Sequence, residues 1–401
     1  MKNFIIASFV LLMAFSCNSG HKAERIRSDF DRIFKEVKSE FAPDRRVKTF
    51  EAQIGIPEQG GKVILRGSTT EREAKDTLIK RLRNNGIEVL DSMVTLPDPA
   101  LDGKIFGITA LSVINLRYGP DFSNEPATQT LLGTPLKILE KTGGWSRVMT
   151  PEGYIAWVTS GSLEEMQEAQ YEEWLLSPRL IITAHYTIFR DAPSPGGGVV
   201  MDGVMGGIVQ TRGIAGRYYK VILPGGKSAY LLVQDAVPLD KWIASLDPSP
   251  ENIVKTAKQF TGFPYMWAGT SPKAMDCSGF TKTVYLMNGI ILERDASQQG
   301  LTGDSISIAN GFDSLRGGDL LFFGTKASEG KKERISHVGI YIGSGEFIHS
   351  STSVRISSLL PEAANWYEGT GRLLRARRIL TRTDAEEGIV SVKNHPWYFK
   401  R

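Results

Sequence analysis

Cys277 is the residue in this 401-residue sequence whose surroundings best suit a nucleophile. Phe280, Val284 and Met287 follow it at helical spacing, and Asp276 before it is a residue type that commonly caps a helix. This pattern places Cys277 at the N-terminus of a helix, where free N–H groups and the helix dipole stabilise a thiolate. We therefore expect Cys277 to be preset as a nucleophile.

A nucleophilic thiol also needs a base close by, and the chain has five histidines. Segments 334–342 and 346–349 alternate apolar and polar residues and predict the two strands of a hairpin. About Ser344 as the turn centre, His337 lies seven residues before and His349 five residues after, so the two are diagonal neighbours on one face. His337 can then take the thiol proton, while His349 hydrogen-bonds its other nitrogen and fixes the tautomer.

Each of these residues also has a simpler reading. A lone cysteine at a helix start is more often inert than catalytic, and a lone histidine is more often a satisfied polar residue. Two histidines on one hairpin face could begin a metal site, but no third ligand of suitable spacing is evident, so we expect no metal. The joint pattern of Cys277, His337 and His349 favours catalysis.

The composition predicts several packed domains and gives no case for nucleic acid. At roughly 150 residues per domain, the length suggests two to four domains. The apolar fraction of 41% and the charged fraction of 23% are ordinary for globular protein. A net charge of +4 is small for this length, whereas nucleic-acid binding usually demands a concentrated basic patch.

The N-terminus predicts export. Lys2 precedes a short apolar run at 4–15, which is typical of a secretory signal and too short for a membrane-spanning helix. Residues 12–17 resemble a bacterial lipobox, which implies cleavage before Cys17 and acylation of its thiol. The alternative is an ordinary signal with an incidental cysteine. We expect a protein lipid-anchored to a bacterial membrane, in the periplasm or cell envelope, in which Cys277 has no disulfide partner.

The elements that must position these residues fall into four regions after the signal peptide at 1–17. Residues 18–100 predict a small α+β domain, similar in outline to the lipid-associated BON modules. Short strands with Gly, Pro, Asn and Asp turns follow, and the passages 153–158 and 226–231 share a pattern. They resemble tandem bacterial SH3-like barrels, which we place at 105–165 and 177–246, with a helical connector over 162–176. The last region, 248–401, reads as α+β.

Motifs within 248–401 resemble the NlpC-type cell-wall cysteine peptidases, which have a papain-like fold. They are Asp276-Cys277-Ser278-Gly279-Phe280, the stretch 315–323, and His337-Val-Gly-Ile-Tyr341 followed by His349. With two SH3-like barrels ahead of it, the chain resembles the γ-D-glutamyl-L-diamino acid endopeptidases. This implies catalysis by Cys277, His337 and His349, with no cofactor and no metal.

The same resemblance implies a set of substrate-binding residues. Asp276 and Ser278 flank the nucleophile and would contact the substrate peptide, while Tyr265 would help bind the oxyanion with the Cys277 N–H. Trp267 would wall the cleft. Asp295 and Ser297 match a family segment and are candidates for the diamino-acid side.

The first barrel would close one end of the cleft. Its best matches for an acidic residue and a tyrosine that bind the free amine of L-Ala are Glu125 and Tyr154. The simpler reading of Tyr154 is barrel core, and the two readings have about equal weight.

The resemblance therefore implies a monomeric cysteine endopeptidase that hydrolyses the γ-D-glutamyl-L-diamino acid bond of peptidoglycan stem peptides. Fragments with a free N-terminal L-Ala would be its substrates, in cell-wall peptide recycling. Another amidase or an acyltransferase on the same scaffold is an alternative, and so is a non-catalytic wall-binding lipoprotein. The sequence leaves open which diamino acid is preferred.

Overall fold

A computed structural model describes residues 3–57 and 61–400, with side chains described from residue 21 onward. The chain divides into two compact units, Met1–Leu101 and Asp102–Arg401. The side chain of Cys17, the expected lipidation site, lies outside the described residues. No helix within the described residues combines the length and the apolarity needed to cross a bilayer.

The first unit packs two helices on a mixed sheet. Its elements are α1 (Asn3–Phe41), β1 (Phe50–Gly55), β2 (Val63–Thr69), α2 (Arg72–Asn84) and β3 (Val89–Thr95). The strand order is β1-β2-β3, with β2 antiparallel to β1 and parallel to β3. Leu78 and Leu82 of α2 are buried with Leu65 of β2, which matches the helical and alternating spacing of apolar residues in these segments.

The second unit begins with a seven-stranded sheet, here called barrel 1. Its strands are β4 (Phe106–Thr109), β5 (Val113–Arg117), β6 (Pro126–Leu131), β7 (Pro135–Thr142), β8 (Trp145–Met149), β9 (Ile155–Thr159) and β10 (Leu163–Met166). Helix α3 (Glu168–Leu176) follows. The expected helical connector over 162–176 is therefore wrong at its start, because Leu163–Met166 pairs with β4 as an antiparallel strand. Leu163 and Met166 bury their side chains there.

A second seven-stranded sheet, barrel 2, comes next. Its strands are β11 (Arg179–Ile182), β12 (Tyr186–Arg190), β13 (Val199–Val204), β14 (Ile208–Ala215), β15 (Tyr218–Ile222), β16 (Ser228–Leu232) and β17 (Ala236–Pro238). The order in barrel 1 is β10-β4-β7-β8-β9-β5-β6, and in barrel 2 it is β13-β12-β16-β15-β14-β11-β17. Read from the opposite edge, the second order repeats the first, so the two sheets share one topology.

The C-terminal domain is α+β, as expected from its sequence. After α4 (Leu239–Ser245), its elements are α5 (Pro250–Lys258), β18 (Thr270–Ser271), β19 (Ala274–Met275), α6 (Cys277–Leu286), β20 (Ile290–Leu292), α7 (Ala296–Gln299), β21 (Asp304–Ile306), β22 (Leu320–Thr325), β23 (Arg334–Gly343), β24 (Glu346–Ser351), β25 (Ser353–Ser358), β26 (Leu373–Arg378) and β27 (Ile389–Ser391). A six-stranded sheet has the order β21-β26-β22-β23-β24-β25. Helix α6 buries Phe280 and Val284 in the core beside this sheet.

Short 3-10 turns connect several of these elements. They are Pro99–Leu101, Ser160–Ser162, Val233–Asp235, Glu368–Arg372, Leu380–Arg382 and Val392–Asn394.

The hairpin predicted around Ser344 is formed by β23 and β24. Ile340 pairs with Ile348 and Tyr341 with Phe347, and the register shifts only near the turn. Ser344 has a φ of 51°, in the left-handed region that a tight turn requires. The pairing places His349 opposite Gly339, two residues from His337, which confirms the predicted diagonal arrangement.

Candidate active site

Cys277 is the first residue of α6, so the predicted helix start is confirmed. The Asp276 side chain caps this helix by accepting a 2.7 Å hydrogen bond from the Gly279 N–H. The thiol lies against β23, because the backbone N–H of Val338 hydrogen-bonds to it, as does the N–H of Ser278. The nucleophile therefore lies beside the strand that carries His337.

The electrostatics of the thiol differ from the sequence-based expectation of a preset thiolate. Burial, followed by the negative charge of Asp276, raises the pKa of Cys277 to about 12. The two backbone N–H groups lower the pKa but do not outweigh burial, since a charged sulfur would lose its hydration. The resting side chain is thus a thiol, and a base must remove its proton when substrate is bound.

His337 and His349 form a directed pair on the sheet. His337 Nε2 lies 2.7 Å from His349 Nδ1, and His349 Nε2 lies 3.0 Å from the hydroxyl oxygen of Ser357. Burial, followed by the positive charges of Arg372 and Arg355, lowers the pKa of His337 to about 4. Burial, followed by the charge of His337, lowers the pKa of His349 to about 3. Both imidazoles are therefore neutral near neutral pH.

With both rings neutral, this chain of hydrogen bonds can run in either direction, set by the tautomer. If His349 donates from Nε2 to Ser357, its Nδ1 is an acceptor and His337 donates from Nε2. The Nδ1 of His337 is then left as an acceptor, the form that can receive the Cys277 proton. Ser357 was not predicted from the sequence, although its place two residues from the strand partner of His349 follows once the pairing is known.

Aromatic rings enclose the imidazole pair. Tyr367 packs at 5.2 Å from the His349 ring centre and 6.1 Å from that of His337. Phe323 and Phe347 close the other sides, at 5.9 Å from His337 and 4.7 Å from His349. This apolar surround is the physical source of the low imidazole pKa values. Sequence reasoning missed Tyr367, which lies in an irregular segment with no motif.

Arg294 connects the capping residue of the nucleophile helix to barrel 1. It is 1% exposed, and its guanidinium donates to Asp276 Oδ2 at 2.7 Å, to the Ser278 hydroxyl at 2.9 Å and to the Thr128 hydroxyl at 2.8 Å. Burial lowers the pKa of Arg294, but its pairing with Asp276 outweighs that effect and raises it. Asp276 and Ser278, expected to contact substrate, are therefore already engaged within the protein.

Tyr154 of barrel 1 reaches the C-terminal domain. It is completely buried, and its hydroxyl lies 3.4 Å from Asp295 Oδ2 and 3.3 Å from the hydroxyl of Tyr118. Burial, followed by the negative charge of Asp295, raises the pKa of Tyr154. This contact does not fit the expectation that Tyr154 and Asp295 bind opposite ends of a substrate.

Four further residues were predicted to bind substrate, namely Glu125, Tyr265, Trp267 and Ser297. The Glu125 side chain is exposed, and its backbone carbonyl accepts from the Tyr118 N–H at 3.2 Å. Burial, followed by the nearby Cys277, raises the pKa of Tyr265 to about 12. Trp267 is 58% exposed, and Ser297 is half-buried in α7. Tyr118 was not predicted, and only its contact with Tyr154 identifies it.

The described residues contain no cluster of three or more His, Cys, Asp or Glu side chains arranged for a metal ion.

Sequence models of two known families match parts of this chain. A sequence model of the NlpC/P60 family matches residues 262–375, and a model of the bacterial SH3 domain matches residues 112–164. A γ-D-glutamyl-L-lysine dipeptidyl-peptidase of Bacillus cereus is 32% identical over 249 residues, which cover 60% of this chain and 71% of that protein. A protein of the same name from Bacillus subtilis is 28% identical over 262 residues, which cover 63% of this chain and 81% of that protein.

A solved structure agrees with this relationship. The crystal structure of an NlpC/P60 family protein from Bacillus cereus has a TM-score of 0.58 and 25% identity, and the match covers 68% of this chain and 99% of that chain. The motifs around Cys277 and His337 thus predicted the relationship, and the chain belongs to the NlpC/P60 family.

Proposed function

We propose that the protein is a cysteine endopeptidase that hydrolyses the γ-D-glutamyl-L-diamino acid bond of peptidoglycan stem peptides. The observation that carries this proposal is the placement of Cys277 at a helix start, against the strand of His337, with His349 at 2.7 Å behind it. The names of the two relatives state a γ-D-glutamyl-L-lysine specificity, which supports the bond type.

The first step transfers the acyl group to sulfur. His337 Nδ1 takes the Cys277 proton as Sγ attacks the γ-carbonyl carbon of D-Glu, and the oxyanion is bound by the Cys277 N–H and the Tyr265 hydroxyl. The tetrahedral intermediate then breaks its C–N bond, and His337 returns the proton to the departing amine of the diamino acid. His349 accepts from His337 Nε2 throughout and holds the ring in this tautomer.

The second step releases the acid. His337 takes a proton from water as the water oxygen attacks the thioester carbonyl, and the C–S bond breaks with return of the proton to sulfur. Because the pKa of Cys277 is raised and that of His337 is lowered, proton transfer accompanies attack rather than preceding it.

Barrel 1 selects short peptides in this proposal. The Asp295 carboxylate, held at 3.4 Å by the buried Tyr154 hydroxyl, forms the end of the cleft that binds the free amine of L-Ala, and Tyr118 and Glu125 lie on the loop beside it. A carboxylate beside a phenol oxygen suits an ammonium group. Asp295 is thereby reassigned from the diamino-acid side to the L-Ala side. Such a site favours released fragments over intact wall and points to peptide recycling.

The test is incubation of L-Ala-γ-D-Glu-diamino acid with the protein and with its Cys277→Ala variant. We expect L-Ala-D-Glu and the free diamino acid from the wild type alone. Equal cleavage by both would exclude Cys277 as the nucleophile, and a new amide or ester in place of the acid would identify a transferase.

We also propose export and lipid anchoring through Cys17, which rest on the apolar run and lipobox-like residues. Metabolic labelling with a fatty acid should mark the wild type and leave Cys17→Ala unmarked. Labelling of both would place the lipid elsewhere.

A further inference from the structure

The side of the cleft that receives the leaving group is set by His337. Because His337 protonates the departing amine, the diamino acid must lie within hydrogen-bond reach of its ring. Tyr154 and Asp295, to which the proposed function assigns the L-Ala end, lie where barrel 1 meets the C-terminal domain. The groups around His337 that face away from barrel 1 therefore surround the diamino acid.

Arg355 is one of these groups. It is the strand partner of His349 across β24 and β25, and directly paired residues point to the same face of a sheet. Ser357, two residues along, points to that face as well, since it hydrogen-bonds to His349. β25 is the edge strand, so the Arg355 side chain is exposed there rather than enclosed.

Arg372 approaches from the other side of the histidine. It ends the 3-10 turn Glu368–Arg372, just before Leu373, which pairs with Phe323, and Phe323 in turn pairs with His337. The same segment supplies Tyr367, whose ring packs on both imidazoles. The strand pairing thus brings both arginines to the neighbourhood of His337, in line with their positive charges lowering its pKa.

Neither arginine is neutralised within the protein. Among the described residues, no hydrogen bond or ion pair engages either guanidinium, whereas Arg294, Arg375, Arg378 and Arg382 of the same domain each pair with a carboxylate. Two unpaired cations beside a general base disfavour its protonated form. They suit an anion that arrives with the substrate.

We propose that Arg355 and Arg372 form a carboxylate-binding subsite for the leaving diamino acid. This inference rests on the proposed function and deepens it, because it names the chemistry of the leaving residue. Stem peptides offer two carboxylates there: the α-carboxylate of a terminal diamino acid, and the side-chain carboxylate that diaminopimelate has and lysine lacks.

The test compares kcat/KM for three peptides that share L-Ala-γ-D-Glu and end in meso-diaminopimelate, L-Lys or L-Lys amide. Wild-type kcat/KM should fall by about tenfold for each carboxylate removed, the size of one charge-assisted hydrogen bond at an open site. Arg355→Gln and Arg372→Gln should each abolish one of the two tenfold falls in kcat/KM. The fall that a variant abolishes identifies the carboxylate that its arginine binds. The rate on L-Lys amide should stay within about twofold in both variants.

Arg316→Gln is the matched control, because Arg316 is an exposed arginine of the same domain whose loss should leave all three values unchanged. Equal wild-type kcat/KM on the three peptides would overturn the subsite while leaving the proposed function intact. The subsite would also be overturned if Arg355→Gln and Arg372→Gln lowered kcat/KM equally for all three peptides. If the wild type cleaves none of the peptides, the proposed function fails and the subsite with it.

Discussion

The two barrels share one topology and one stabilising arginine contact, yet they contact the C-terminal domain in different ways. Arg117 of barrel 1 donates to the carbonyl of Asn124 at 2.6 Å, and Arg190 of barrel 2 donates to that of Gly197 at 2.7 Å, seven residues on in both cases. Each arginine also pairs with an aromatic residue on a neighbouring strand, Trp157 or Tyr230. The repeat therefore extends from strand order to individual side chains.

The difference lies in the turn before the sixth strand of each barrel. Gly153-Tyr154 of barrel 1 corresponds to Gly226-Lys227 of barrel 2, where Tyr154 is buried against Asp295 and Lys227 is exposed. Barrel 1 contacts the C-terminal domain through hydrogen-bonded polar groups next to Cys277. Barrel 2 contributes Met205 to the apolar core of that domain, and its His185 packs against the rings of Phe260 and Phe263 there. We infer that barrel 1 shapes the substrate cleft, whereas barrel 2 stabilises the packing of the C-terminal domain.

The largest effect should come from Arg294, which connects barrel 1 to the nucleophile helix. Arg294→Met leaves the buried carboxylate of Asp276 without its cation, which should lower the free energy of unfolding by about 4 kcal/mol. Because Asp276 caps the helix of Cys277, kcat/KM should also fall by at least about 100-fold. Denaturant unfolding and peptide hydrolysis measure the two effects.

The matched change on the barrel 2 side is Asp202→Asn, which removes the 2.7 Å ion pair with Lys273. Lys273 is about half exposed, so it should rehydrate, and kcat/KM should stay within about threefold of the wild type. Similar losses of activity in both variants would refute the division of roles between the barrels.

The next effect should come from Glu152, which pairs with Lys282 of α6 at 2.7 Å and has a 3% exposed side chain. Barrel 2 has the exposed Gly225 at the corresponding position. Glu152→Leu should lower the free energy of unfolding by about 3 kcal/mol, since Lys282, whose side chain is only 15% exposed, is left without its partner. The double variant Glu152→Leu with Lys282→Met should recover most of the loss in the same denaturant titration. A double variant no more stable than the single one would assign the loss to packing.

The sequence predicted those features of the site that depend on residues close together in the chain. The cap by Asp276, the start of α6 at Cys277 and the diagonal placement of His337 and His349 follow from helix periodicity, strand alternation and a tight turn at Ser344. Each involves residues close in sequence, so the number of arrangements compatible with the pattern is small.

Contacts between distant segments could not be predicted in the same way. Arg294 meets Thr128, 166 residues away, and Tyr154 meets Asp295, 141 residues away, so both contacts depend on how barrel 1 packs. The protonation state of Cys277 was also mispredicted, because it depends on burial. The position of Cys277 at a helix start suggested a thiolate, but the enclosure that raises its pKa exists only in the assembled domain.

A smaller effect should come from Tyr154, whose counterpart in barrel 2 is Lys227. Tyr154→Phe removes the hydroxyl that faces Asp295 and should raise KM for free-amine stem peptides by about tenfold, with kcat within about threefold. The N-acetylated peptide should be cleaved poorly by both the variant and the wild type. Lys227→Ala, at the matching position of barrel 2, should leave both kinetic constants unchanged. An equal rise in KM for acylated and free-amine peptides would show that Tyr154 does not position Asp295 for the amine.

The smallest effect should come from His185, which lies just before β12 of barrel 2 and packs 5.4 Å from the ring of Phe260 and 5.0 Å from that of Phe263. Burial lowers the pKa of His185, so the unfolded chain takes up its proton at a higher pH than the folded chain. The stability that depends on the neutral ring is therefore present above the ordinary histidine pKa of about 6.5 and is lost as pH falls below it. His185→Phe should make the midpoint of thermal unfolding less dependent on pH between about 7.5 and 5, with kcat/KM at pH 7.5 unchanged.

His21→Phe is the control for that comparison, because it makes the same substitution at a largely exposed position of α1. The comparison is made on slopes rather than on absolute midpoints, since a phenyl ring at position 185 also changes the packing against Phe260. A His185→Phe variant with the full wild-type slope would show that this contact does not sense pH. A loss of kcat/KM in that variant would mean that barrel 2 also shapes the cleft, and the contrast between the two copies would narrow to the single position held by Tyr154 and Lys227.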